Sequence, residues 1–284
     1  MSGRTGIGLA AVVLCACGGS NAVGAADPIN DVVVFTAHPD DESMYAGGTL
    51  ATLRDRGHSI ALVILSHGEG GRLLVPDTEG HVVENRSHSC AEVAGLRDRE
   101  MQCVARLLRA DLHYLFDATS NLDYGFDTEP ERTLARWNTS VPGGLAEIER
   151  RLRDQVRKRR PAVVLTLDVR NDPSGNQHSH HRAIGMLVQR AIANDPEFAR
   201  TERWSFAPPD TQPDMVVNVD PKQRLQLLQC HASQFKAEDL QGRGSRPSEG
   251  FVLQRAGAPQ PEASTTVLAS WLKDRIIPQK SLRH

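Results

Sequence analysis

The chain has 284 residues, 39% of them hydrophobic and 24% charged, with a formal net charge of -2. Those values fit a globular protein with a sizeable core and exclude collagen-like, disordered and multi-span membrane classes. The near-neutral balance also argues against a nucleic-acid footprint: the densest basic run, Arg151 to Arg160, is interrupted by Asp154 and reads as a solvated helix face.

At the start of the chain, Arg4 precedes an apolar stretch from Ile7 to Cys17 and then a run of small residues. This pattern is expected of an export signal over residues 1–26, ahead of one domain over residues 27–284. The apolar part is shorter than the ~20 residues that a membrane-spanning helix needs. Two processing routes stay open: cleavage near Ala26, or lipid attachment at Cys17 within "LCAC", which resembles a bacterial lipobox. The expected destination is outside the cytoplasm, either secreted, periplasmic or lipid-anchored at the envelope. Beyond the signal, Cys90, Cys103 and Cys230 remain. On one helix Cys90 and Cys103 would lie ~20 Å apart and could not pair, so Cys230 bonds one of them or stays a buried thiol.

The next elements are a strand at Val32 to Thr36, a helix over about Met44 to Arg56 stopped by Gly57, and a strand at Ser59 to Ser66. A polar, Gly-rich loop spans His67 to Asn85, followed by a helix from Arg86 to Arg109 and a short strand at Leu112 to Phe116. After irregular chain to Pro142, "LAEIERRLRDQVRKRR" has helical spacing and leads into "PAVVLTL", a continuous apolar run typical of a strand covered on both faces. Another loop, Asp168 to Gln177, precedes a helix starting near His178. Met215 to Val219 gives a strand followed by the helix of "PKQRLQLLQCHASQ". This alternation predicts an α/β sandwich with a mainly parallel sheet, whose ligands gather at the carboxyl ends of the strands.

Two clusters fall at that edge: "AHPDDE" after the first strand and "DVRNDPSGNQHSHH" after "VVLTL". Burying Asp40, Asp41 and Glu42 together is costly without a cation nearby. A His and an Asp on a strand-to-helix turn, joined by a distant His, make a nitrogen and oxygen site for a metal. His178 and His181, three apart at a helix start, share one face, so that one can ligate while the other acts in catalysis. Each cluster alone has a plain structural reading, as a helix N-cap with a first-turn acid or as a solvated loop. Their placement on one sheet edge favours a metal site.

"AHPDDE", "SHGEGG", "LRDRE", "HSHHR", "LLQCHASQF" and "EGFVLQR" occur in that order between about Ile29 and Arg255, and together they resemble the zinc-dependent N-deacetylases of the LmbE/PIG-L type. The resemblance implies a Rossmann-like three-layer fold, a Zn2+ cofactor, and hydrolysis of an N-acetyl or short N-acyl group from an amino sugar or glycoconjugate. By matching position, His38, Asp41 and His181 are the expected zinc ligands. Asp40 is the expected general base towards a metal-activated water, and His178 the group that stabilises the oxyanion or protonates the leaving amine. Arg97 and His231 are expected to contact substrate, an Arg97–Glu100 ion pair being the structural alternative. Glu42 is expected to hold the loop.

One departure stands out. The family commonly reads His-Pro-Asp-His where this chain has Ser179 and His180 in the middle, so the aspartate that orients the catalytic histidine is missing. Either Asp168 or Asp172 is expected to replace it, or activity is expected to be lower than in relatives, and His180 is an alternative ligand to His181. Two other functions stay in view: a non-catalytic carbohydrate-binding protein, against which an Asp40 beside two ligand candidates speaks, and a metal hydrolase for another amide or ester.

Overall fold

The computed structural model describes residues 30–76, 79, 82–85, 88–120, 122–123, 127–170, 178–208, 211–255 and 261–278. The expected export signal and Asp172 lie outside the described residues.

Five parallel strands form the heart of the sheet: β1 (Val32–Thr36), β2 (Ile60–Ile64), β5 (Asp111–Tyr114), β6 (Val163–Thr166) and β7 (Glu202–Phe206). β1, β2 and β6 are buried along their whole length, as continuous apolar runs in a doubly covered parallel sheet require, and β7 is buried along its whole length too. β8 (Met215–Asn218) and β9 (Ser248–Leu253) complete the order β5-β2-β1-β6-β7-β9-β8, with β9 antiparallel to both its neighbours. The expected α/β class with a mainly parallel sheet is therefore the observed one.

Helices α1 (Asp41–Asp55), α2 (Cys90–Leu108) and α6 (Pro221–Cys230) pack together, and α3 (Pro130–Ser140), α4 (Gly144–Arg159) and α5 (Ser179–Ile192) form a second group. The shorter α7 (Ala237–Gly244) rests on α6, and α8 (Val267–Leu272) closes the chain's described end. None of the described helices is long and apolar enough to cross a membrane. β1 runs on into α1 while β6 lies on its other side, so the chain reverses its winding between these two strands. In open α/β sheets that crevice is where ligands bind.

Several elements differ from the expectations. The loop from His67 to Asn85 contains a hairpin, β3 (Leu73–Pro76) with β4 (Val82–Asn85). The chain before Pro142 contains α3, which starts on a proline at its first position. β7 escapes a reading by hydrophobicity because two of its five residues are charged. Glu202 receives the backbone N–H groups of Val267 and Leu268 at the start of α8. β9 alternates buried and half-buried residues, and its buried Glu249 accepts from the N–H groups of Gly48 and Thr49 in α1. Cys230 pairs with Cys103, at a Cα–Cα distance of 5.7 Å, and Cys90 takes no part in the disulfide. The disulfide ties α2 to the end of α6.

Candidate active site

The turn between β1 and α1 sets the geometry. Asp41 is the first residue of α1, and one carboxylate oxygen, Oδ2, accepts the N–H groups of Ala37 (3.0 Å) and His38 (2.9 Å). Its other oxygen, Oδ1, lies 2.9 Å from His181 Nε2, and His38 Nδ1 is 3.8 Å from Oδ2. Asp41 thus sits between the two histidines with which it was expected to act. Burial opposes its ionisation, but His181 and His38 hold the carboxyl down at about 2.

Asp40 behaves differently. It occupies the N-cap of α1 at φ 115°, a region that a non-glycine residue seldom adopts, and its side chain makes no capping bond. The carboxylate accepts instead from Arg97 Nη2 at 3.1 Å. Burial pushes Asp40 up to about 6, with Asp41 adding to the rise and Arg97 opposing it. Strain of this kind costs on the order of 1–3 kcal/mol and tends to gather at functional sites.

Arg97 is itself buried on α2, and it also donates to the carbonyls of Pro39 and Gly68. Gly68 has φ +68°, and a Cβ there would fall 2.2 Å from Arg97 Nη1, so only glycine lets the guanidinium lie so close. The alternative pairing with Glu100 is not adopted: both Glu100 oxygens accept from Ser233, through its N–H and hydroxyl.

The second cluster folds onto the first. His178 is the N-cap of α5, and its carbonyl accepts from the His181 N–H. The His178 and His181 rings lie 3.9 Å apart between centroids, and the His38 and His178 rings 4.9 Å apart. Burial pushes the His178 pKa far down, and the neighbouring imidazoles push it the same way.

His180 turns away from the cavity and is fully buried. Its Nε2 accepts from Arg136 Nη2 at 3.1 Å, while its Nδ1 lies 3.1 Å from His38 Nε2 and 3.6 Å from the Asp123 carboxylate. Asp123 also stands 2.7 Å from His38 Nε2 and accepts the N–H of Gly70 at 3.0 Å. Although burial opposes it, His38, His180 and Arg97 hold Asp123 well below the usual carboxylate range.

Asp123 is thus the carboxylate that supports the histidine cluster, in place of the expected Asp168. Both oxygens of Asp168 are engaged elsewhere, by Arg170 and by the Ser205 hydroxyl. Asp123 carries no periodic signal in the sequence, because it falls in a stretch without strand or helix spacing. The available signal was its position just beyond the carboxyl end of β5, on the same sheet edge.

His231 also departs from its expected role. It is fully buried, with Nε2 3.2 Å from both Glu42 Oε1 and the Ser43 hydroxyl, and it does not line the cavity. It supports Glu42, whose other oxygen accepts the N–H of Asp40 at 3.3 Å. Glu42 holds the loop as expected.

His38, Asp40, Asp41, Arg97, His178 and His181 all line one cavity of about 350 Å³, together with Asp123, Gln234 and Arg243. This volume lies within the range of small-molecule sites. Two triads, each with its ligand atoms within 4.8 Å of one another, could hold a metal: His38 with His178 and His181, and His38 with Asp123 and His180. The first opens to the cavity, whereas in the second the Arg136 guanidinium lies against His180. The donor chemistry suits zinc, and the buried Nδ1 of His181 has no hydrogen-bond partner in the protein.

Residues 33–192 match the family model for PIG-L, GlcNAc-PI de-N-acetylase. The chain belongs to this family. A 1D-myo-inositol 2-acetamido-2-deoxy-alpha-D-glucopyranoside deacetylase of Geodermatophilus obscurus is 28% identical over 176 residues, covering 60% of this chain and 56% of the relative. A deacetylase of the same name, numbered 1, from Catenulispora acidiphila is 32% identical over 173 residues, 59% of this chain and 50% of its own. The chain therefore spans about half the length of these curated relatives. A probable N-acetyl-alpha-D-glucosaminyl L-malate deacetylase 2 of Bacillus anthracis is 26% identical over 216 residues, 72% of this chain and 81% of that one.

Among solved structures, the N,N'-diacetylchitobiose deacetylase of Pyrococcus horikoshii aligns with a TM-score of 0.54 at 22% identity, over 78% of this chain and 83% of its own. GalB, the 4-carboxy-2-hydroxymuconate hydratase of Pseudomonas putida, aligns at 0.58 with 19% identity, over 83% of this chain and all of its own. These two likenesses show the fold alone, and they show it carrying two different chemistries.

Proposed function

We propose that the protein is a zinc-dependent N-deacetylase that removes an N-acetyl or short N-acyl group from an N-acetylglucosamine-containing glycoconjugate. One observation carries this reading: Asp41 bridges His38 and His181, while Asp40, one residue away, points into the same cavity and pairs with Arg97. A binding protein has no use for a second, strained carboxylate beside the ligand set.

His38, Asp41 and His181 would hold the ion. When bound, zinc supplies Lewis acidity to a carbonyl and eases the loss of a proton from water. Asp40 takes that proton as general base and can return it to the departing amine. Arg97 fixes the Asp40 carboxylate, and Glu42 fixes the Asp40 backbone N–H. His178, beside His181 and His38 in the same cavity, offers a ring N–H to the developing oxyanion. Asp123 orients His38 from behind, a role that second-layer carboxylates play at metal sites. The same proposal places the protein outside the cytoplasm, a reading that the Cys103–Cys230 disulfide supports, since such bonds persist in oxidising compartments.

The test is metal analysis of the purified protein with acetate release from N-acetylglucosamine glycosides, using Asp40→Asn and His38→Ala as controls. The expected result is one zinc per chain and acetate release that both variants lose. A full zinc complement without acetate release would move the reading to another amide or ester, or to hydration as in GalB. A chain that binds no zinc would end the hydrolase proposal.

A further inference from the structure

A larger cavity of about 770 Å³, walled in part by the chain between α7 and β9, adjoins the catalytic one at Met44, and its lining includes none of the expected ligands. Support for the ligands comes instead from α3. Thr133, Arg136 and Trp137 share one face of that helix, at spacings of three and four residues. The buried Thr133 hydroxyl donates to the Ser179 hydroxyl at 2.8 Å, Arg136 Nη2 donates to His180 Nε2 at 3.1 Å, and the Trp137 ring lies 5.5 Å from the His180 ring. Trp137 Nε1 also donates to the carbonyl of Leu122, the residue before Asp123, at 2.9 Å. Ser179 and His180, which stand where the family commonly has Pro-Asp, are therefore both met by α3.

Hydrogen-bond chemistry fixes the protons. A guanidinium only donates, so His180 Nε2 is an acceptor and the neutral ring carries its proton on Nδ1. An ionised carboxylate only accepts, so the proton between His38 Nε2 and Asp123 Oδ1, 2.7 Å apart, sits on the nitrogen. His180 Nδ1 lies 3.6 Å from that same oxygen, and both ring protons converge on it. His38 Nδ1, 3.8 Å from Asp41 Oδ2, is then the nitrogen that keeps a lone pair. Where those two protons lie a cation cannot, so the second triad braces the first instead of competing with it. Towards His178, by contrast, His180 offers a ring contact at 5.3 Å and nearly at right angles, without the charge of the family's aspartate.

We propose that Arg136 and His180 are positioning residues for the ligand His38: Arg136 holds the His180 proton on Nδ1, His180 and Asp123 together hold the His38 proton on Nε2, and the Nδ1 lone pair of His38 is kept for the ion. The proposal rests on the zinc reading for the use of that lone pair. The position that carries an aspartate in the family thus serves a metal ligand in this chain, and no longer the catalytic histidine.

Nitrogen-15 spectra of the metal-free parent chain, with the two rings assigned from His38→Gln and His180→Gln, read the protons directly. The expected result is a proton on His180 Nδ1, a bare His180 Nε2 and a proton on His38 Nε2. A protonated His180 Nε2 or a bare His38 Nε2 would overturn the proposal. Zinc affinity measured against a chelator should fall about 10-fold in Arg136→Met and recover in part in Arg136→Lys, which keeps a donor. Arg136→Met should add little to the loss in Asp123→Asn, because both act on one ring. Asp127→Asn takes the charge from the other partner of Arg136 and should leave zinc affinity unchanged. Parent-like affinity in Arg136→Met, or an equal loss in Asp127→Asn, would also overturn the proposal. The expected protons in a parent chain that binds no zinc would uphold the arrangement of the rings while overturning the zinc reading.

Discussion

The turn after β1 and the wall formed by α7 and β9 meet at the same pair of cavities, yet they are built on opposite principles. In the turn, buried carboxylates and imidazoles satisfy one another within a few ångströms: Asp41 with His38 and His181, Asp123 with His38, and Glu42 with His231. In the wall, arginines outnumber the acids that face them, and Arg246 reaches solvent. A closed network fixes atoms for a reaction, whereas an open surplus of one charge waits for a partner. The difference separates a region whose charges are already answered from one that carries a positive surplus.

The sharpest break in that contrast comes from Asp40. Asp40→Asn keeps the shape and a hydrogen bond to Arg97 but removes the proton acceptor, and acetate release should fall by about 10²–10⁴-fold, the range for general bases. Zinc content measured in parallel should stay near that of the parent chain.

Asp123→Asn should act one step further back. It leaves the expected ligands in place and takes the carboxylate from His38, so zinc affinity should weaken by about 10–100-fold in competition with a chelator. An unchanged affinity would show that His180 and Arg136 suffice to orient the ring.

The strain at Asp40 can be read separately from its chemistry. Asp40→Ala and Asp40→Gly both lose the carboxylate, but glycine is at ease at φ 115°, so the glycine variant should be the more stable by about 1 kcal/mol in urea unfolding. Equal stabilities would place the strain elsewhere in the turn.

The smallest effect is expected at His67, which lies on the loop beside the site and pairs with Asp98 at 2.6 Å. Burial lowers its pKa, but Asp98 outweighs burial and leaves it above 6.5. A group raised in the folded state stabilises fully below its unfolded pKa and loses that contribution as pH rises through the folded value. Unfolding free energy should therefore decline from pH 6.5 upwards, and His67→Gln should flatten that slope while leaving acidic unfolding steeper than neutral.

Much of this molecule was legible in one dimension. Continuous apolar runs at Val32 to Thr36 and Val163 to Thr166 marked central parallel strands because such strands bury both faces. "HPDDE" and "HSHH" marked a site because the carboxyl ends of those strands are where loops converge. β7 was hidden by the charged Glu202 and Arg203, and Glu202 meets its partners, the N–H groups of Val267 and Leu268, only in the tertiary structure. The α3 helix and the β3–β4 hairpin were hidden by polar stretches whose local pattern does not exclude a loop.

By itself the sequence determined the fold class and the sheet edge on which His38, Asp40, Asp41, His178 and His181 meet in one cavity, because local patterns and short spacings encode them. Tertiary structure decided which acid stands behind the histidines, since Asp123 and His38 are far apart along the chain and meet only when β5 lies beside β2 and β2 beside β1. It withdrew His231 from the cavity and seated it behind Glu42. It brought Arg243 into the cavity that His38, Asp40 and Asp41 line, and Arg224 and Arg246 into the one beside it. Charges separated by many residues interact through space, and only folding sets the distances.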